Sequence, residues 1–147
     1  MGFDSDDDVL IEGTDEQVWE YAYDFKRTVV VDQGAEEEEM LADFAKKLPG
    51  ELAYECDYDA EKVTIGFGEK TSEAPLTLSP KDRYIVIRAL NQLIAPDLEI
   101  RAFRPTLETD THCFLVRPAD WWNEMESAFE SRMNAIFAKL DEGMDFA

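Results

Sequence analysis

The sequence predicts an α+β fold in one domain, with helices packed on an antiparallel sheet of about five strands. Three observations lead there. The chain has 147 residues, the length of one domain. Its hydrophobic period switches between that of a helix and that of a strand, in the order α-α-β-β-β-α-β-β-α. The links between neighbouring strands are too short for parallel crossovers. A hydrophobic content of 45% with 12% aromatics excludes an acidic chain without a core.

Residues 1–13 read as an acidic arm or short edge strand, exposed because its acids cannot help form a core; the folded domain is expected over 14–147. Thr14 followed by Gln17 is a capping-box pattern. Val18, Tyr21, Ala22, Phe25 and Val29 then predict a helix over about 15–30. Leu41, Phe44, Ala45 and Leu48 predict a second helix over about 35–47, with Glu36–Glu39 in its first turn and Pro49-Gly50 as its stop. Leu52, Tyr54, Cys56 and Tyr58, then Val63, Ile65 and Phe67, alternate as the strands of a hairpin, and a short strand is expected at Leu76–Leu78. Ser79-Pro80 opens a helix that is apolar on nearly every side as far as Ile94, so it is expected to be central. Leu98–Ala102 and Thr111–Val116 predict two more strands. Pro118 begins a final helix to about residue 140, with Trp122, Met125, Phe129, Met133, Ile136 and Leu140 as its stripe.

The formal net charge is −20, from 34 acids and 14 bases. It is uneven: residues 1–61 carry 20 acids and 4 bases, residues 62–147 carry 14 acids and 10 bases. Phosphate repulsion argues against direct nucleic-acid binding. The asymmetry favours a local interaction surface over general salt adaptation. The acidic start, MGFDSDDDVL, does not resemble a secretory leader, and Asp6 stands where a myristoylation signal needs Ser or Thr. No apolar run is long enough for a membrane span. A cytoplasmic protein with two reduced thiols, Cys56 and Cys113, is the expectation.

No chemistry-bearing motif stands out. Asp4, Asp6, Asp8 and Asp15 match the oxygen-ligand spacing of a calcium loop, but Val9 occupies the position that needs glycine. His112 and Cys113 are adjacent in a strand and point to opposite faces, so they do not form a nucleophile and base. Gly66-Phe67-Gly68 is too short for a phosphate loop and opens no helix. No catalytic residue, metal site or cofactor is expected. Glu99 and Arg101 share a strand face and can pair. Trp121 and Trp122 diverge by about 100° on a helix, so Trp122 fits the core stripe and Trp121 either covers the sheet edge or anchors an interface.

Asp97-Leu98-Glu99-Ile100-Arg101, Asp110-Thr111-His112-Cys113-Phe114-Leu115-Val116, Pro118 and Trp121-Trp122 together resemble a bacterial domain family of unknown function. The resemblance spans about residues 80–122 and implies a helix, a hairpin and a helix, with no established activity. Such small domains resemble accessory or immunity-type proteins.

The leading expectation is a binding protein whose acidic half engages a basic protein, such as a toxin or a nucleic-acid-binding protein, in the manner of an inhibitor or a DNA mimic. The residues singled out for contact are Asp6, Asp7, Asp8, Glu36, Glu37, Glu38, Glu39, Asp57, Asp59, Glu61 and Trp121. Mimicry requires acids of the N-terminal helices and the hairpin turn to lie in a line. The alternatives are a small enzyme or ligand-binding domain with a pocket, and a structural or oligomerising domain whose acidity serves solubility.

Overall fold

The structure, a computed structural model, describes residues 7–77 and 81–140. In chain order its elements are α1 (Asp8–Glu12), α2 (Asp15–Ala22), β1 (Val29–Asp32), α3 (Glu37–Ala45), β2 (Leu52–Asp57), β3 (Lys62–Phe67), β4 (Lys70–Pro75), α4 (Asp82–Ile94), β5 (Leu98–Phe103), a 3-10 turn (Arg104–Glu108), β6 (Thr111–Pro118), α5 (Ala119–Ile136) and β7 (Phe137–Lys139). The α+β class holds, and every strand pairing is antiparallel. The strands divide between a four-stranded sheet, β1-β6-β5-β7, and a three-stranded meander, β2-β3-β4.

Several local readings carry over. Thr14 caps α2, its hydroxyl accepting from the Gln17 amide at 3.2 Å while the Gln17 side chain accepts from the Thr14 amide at 2.9 Å. The predicted hairpin forms as β2 and β3, with Leu52 opposite Phe67 and Asp57 opposite Lys62. β5 and β6 pair as expected, Ile100 facing Val116. The Ser79-Pro80 helix start lies outside the described residues; Asp82 inside it is buried and accepts from the amide and hydroxyl of Thr77.

Four readings are corrected. The first helix stops at Ala22, and Val29–Asp32 is a strand. Its turn is built by Asp24, whose side chain accepts from the Lys26 amide and whose carbonyl accepts from Arg27 and Thr28. The Val29-Val30-Val31 run is β-branched throughout and fits the pleat better than a helix. Leu76 lies outside the third hairpin strand, which is instead Lys70–Pro75. Gly68, at φ +62°, supplies the left-handed first position of the two-residue turn that starts it. The last helix ends at Ile136, and Phe137–Lys139 becomes an edge strand on β5. Arg104 fixes that ending by donating to the carbonyls of Asn134 and Phe137, both at 2.9 Å. Finally, residues 7–13 are not an exposed arm: Leu10 is fully buried and Asp7 is buried beside it.

The four-stranded sheet is covered on both faces. Val29, Val31, Ile100, Ala102, Phe114 and Val116 face α3, α4 and the meander. Cys113, Leu115, Phe103 and Phe137 face α1, α2 and α5. This double burial makes β6 an almost continuous apolar run. His112 lies on the α4 side, its Nδ1 2.7 Å from the Tyr84 hydroxyl in the core. No helix among the described residues is long and apolar enough to cross a membrane.

Candidate functional site

The acidic residues singled out in the sequence separate onto the two sides of the central sheet. α3 packs on the meander side. Its first turn carries Glu37, Glu38 and Glu39, where the positive helix end favours carboxylates. Glu36, Glu38 and Glu39 are exposed. Glu37 is buried, a correction to its expected exposure: its Oε2 accepts from the Tyr58 hydroxyl at 3.3 Å. That bond joins the start of α3 to the β2–β3 turn. Asp57 is half-buried and organises the turn, its Oδ1 accepting from the Ala60 amide at 3.0 Å. Asp59 and Glu61 are exposed, and Glu61 takes the left-handed conformation at φ 55° that closes the turn. One acidic face therefore contains Glu36, Glu38 and Glu39 from α3 with Asp59 and Glu61 from the hairpin.

Tyr58 lies within that face and is 41% exposed; among the described residues the other exposed large apolar side chain is Phe25. By its alternation with Leu52, Tyr54 and Cys56, Tyr58 is expected to be the last apolar position of a strand. The available signal that it leaves the sheet was its flanking by Asp57 and Asp59, two turn-forming residues, and in the structure it falls one residue past β2. Its phenol is pushed up to about 12, first by burial and then by the Glu37 charge. Burial first, then Glu38 and Glu37, also raise the Cys56 thiol. These couplings mark the region as electronegative.

A titration checks this arrangement. Native chain binds the Tyr58 proton more tightly than unfolded chain, so this contribution is complete below the ordinary phenol value near 10 and is lost as pH rises toward about 12. Glu37→Gln removes a negative charge but not the burial, so the Tyr58 midpoint should fall while staying above 10. NMR of ring-labelled tyrosine, with Tyr58→Phe for assignment, reads it directly. An unmoved midpoint in Glu37→Gln would contradict the contact.

Asp7 and Trp121 belong to the opposite side. Asp7 accepts from the Tyr21 hydroxyl at 3.2 Å, from Arg117 Nη2 at 3.3 Å and from Trp121 Nε1 at 3.2 Å. Burial pushes the Tyr21 phenol up. Trp121 is 8% exposed and meets Trp122 edge to face, with ring centres 4.8 Å apart. Both tryptophans are buried because the sheet takes Trp122 while α1 and Asp7 close over Trp121, so neither Asp7 nor Trp121 is a free contact residue. Asp8 is exposed in α1, and Asp6 lies outside the described residues. Beside this cluster, Arg101 is 4% exposed, pairs with Glu99 at 2.5 Å and with Glu126, and lies 4.5 Å from the Trp122 ring centre. The Glu99–Arg101 pair is thus part of a partly buried network, with the guanidinium buried and both carboxylates 29% exposed, rather than a surface pair.

Chemistry is sparse. No group of three or more His, Cys, Asp or Glu side chains is placed to hold a metal ion among the described residues. Cys113 is buried and its thiol is raised to about 12 by burial, which suppresses the thiolate. No protein-family model, curated protein or solved structure matches the chain.

Proposed function

We propose that this chain is a binding protein whose acidic face, formed by the start of α3 and the β2–β3 turn, engages a basic protein partner. The observation that carries the reading is the Tyr58–Glu37 bond, which places a half-exposed aromatic ring among Glu36, Glu38, Glu39, Asp59 and Glu61. Exposed carboxylates speed encounter with a basic surface, and a tyrosine held by its hydroxyl loses little freedom when it docks. An immunity-type inhibitor of a basic protein suits this face better than a phosphate mimic, because the acids of α2 lie across the sheet and do not line up with those of α3 and the hairpin turn. The free cysteines suit the reducing cytoplasm, where we place the encounter.

The test compares three immobilised chains of full length in extract of the source cell: wild type, E36Q/E38Q/E39Q, and the charge-matched control E12Q/E16Q/E20Q, whose exposed acids lie across the sheet. A basic protein should be held by wild type and control, released at about 0.5 M salt, and associate much more slowly with the α3 variant. Equal retention by all three chains, or no basic protein retained by wild type, would overturn the reading.

A further inference from the structure

A second surface lies across the sheet from the acidic face, between α2, α5 and the 3-10 turn. It is a groove of about 240 Å³ with Val18, Trp19, Pro105 and Ile136 among its walls and Arg132 lining it. α5 is interrupted at Phe129, where φ −140° and ψ 49° leave the helical region, so the last turn of the helix, with Arg132 and Ile136, takes its own course toward α1 and α2.

Arg132 is held by one edge. Its Nε donates to the Leu10 carbonyl at 2.9 Å and its Nη2 to the Gly13 carbonyl at 2.5 Å. Gly13 closes α1, its amide donating to the Val9 carbonyl at 2.8 Å, and a Cβ there would come within 2.4 Å of that carbonyl. A guanidinium carries five N–H donors in a planar fork. Bonding through Nε and one side of Nη2 leaves the end-on pair, Nη1 and the outer Nη2 hydrogen, parallel and spaced for a carboxylate. No carboxylate among the described residues lies within ion-pair distance of Arg132, although the chain carries 34 acids. The charge is fixed, backed by backbone carbonyls, and set among apolar walls.

We infer that this groove is a binding site for a small organic monocarboxylate with an apolar body. The carboxylate meets the end-on edge of Arg132 and the body lies against Trp19, Val18 and Ile136. Two features limit the class. The volume is below the roughly 300–1,000 Å³ of sites for drug-sized molecules, so the ligand is small. Asp15, also in the lining, opposes any anion and opposes a dianion twice as strongly, so Arg132 can offset at most a single carboxylate. The site shares no residue with the acidic face, so it stands or falls separately from the proposed partner surface.

The experiment is a titration of the full chain with phenylacetate and hexanoate, and with phenylacetamide as the neutral counterpart. The readouts are NMR shifts of the Trp19 indole N–H and of Arg132 Nε. Saturable shifts confined to these residues are expected, with the amide at least tenfold weaker than the acid. Arg132 also holds α1, so its replacement risks the fold. The informative variant is Ala135→Phe, which fills the groove from an exposed position of α5 and should abolish the shifts while leaving the rest of the spectrum in place. No saturable shift with either acid up to ~10 mM, the reach expected for so small a ligand, would overturn the inference. So would an amide that binds as tightly as the acid, or binding that survives Ala135→Phe.

Discussion

Asp7→Ala is expected to destabilise the protein by about 3 kcal/mol, the low end of the range for breaking a buried ion pair. The carboxylate side chain is 4% exposed, but its partner Arg117 is 26% exposed and can recover some hydration. The loss goes beyond the charge pair. Tyr21 and Trp121 also donate to Asp7, and the Trp121 indole is buried when its acceptor disappears. Asp7→Asn keeps the shape and one acceptor oxygen, so its loss should be smaller. Urea unfolding at pH 7, followed by tryptophan fluorescence, gives both values. A loss below about 1 kcal/mol for the alanine variant would mean that the segment around α1 does not dock on α5 in solution.

Trp122→Ala should cost more, about 5 kcal/mol, the upper end for removing a large aromatic from a core. The ring is fully buried and meets Trp121 at 4.8 Å and Phe137 at 5.0 Å, both edge to face. Its Nε1 donates to the Glu99 carbonyl at 3.0 Å, and Arg101 stacks over its face. Deleting it opens a void and leaves a buried arginine without its aromatic support. Trp122→Phe refills much of the volume but not the hydrogen bond, so it should recover roughly half of the loss. If alanine costs less than about 2 kcal/mol, the layer beneath α5 collapses into the space and the Trp122 ring is not a fixed part of the core.

Much of this architecture was legible because it is written in local chemistry. The Thr14–Gln17 cap, the alternation from Leu52 to Phe67 and the apolar α4 need only neighbours within a few residues to be read. β1 and β7 were hidden for the opposite reason. Val29 continues the spacing of a helix, and Ile136 and Leu140 continue that of α5; only pairing with β6 and β5, distant in sequence, makes these segments strands. β4 escaped because Ala74 is its one buried side chain. The candidate site divides in the same way. Acid-rich segments are visible in a string of letters, but the Tyr58–Glu37 contact spans 21 residues and the one between Asp7 and Trp121 spans 114. Asp7 looks like any acid of an exposed tail until its three donors are placed around it.

The central sheet has a thermodynamic consequence because it is buried on both faces. Layers packed on its opposite sides lie roughly 20 Å apart, two packing spacings of about 10 Å each. Side chains on α3 and side chains on α2 or α5 share no partner at that separation, so their substitutions should sum in free energy, with little coupling. The sheet acts as an insulating wall: the charges on one side can change while the groove on the other stays as it is. Two surfaces of a small protein are thereby free to change at different rates.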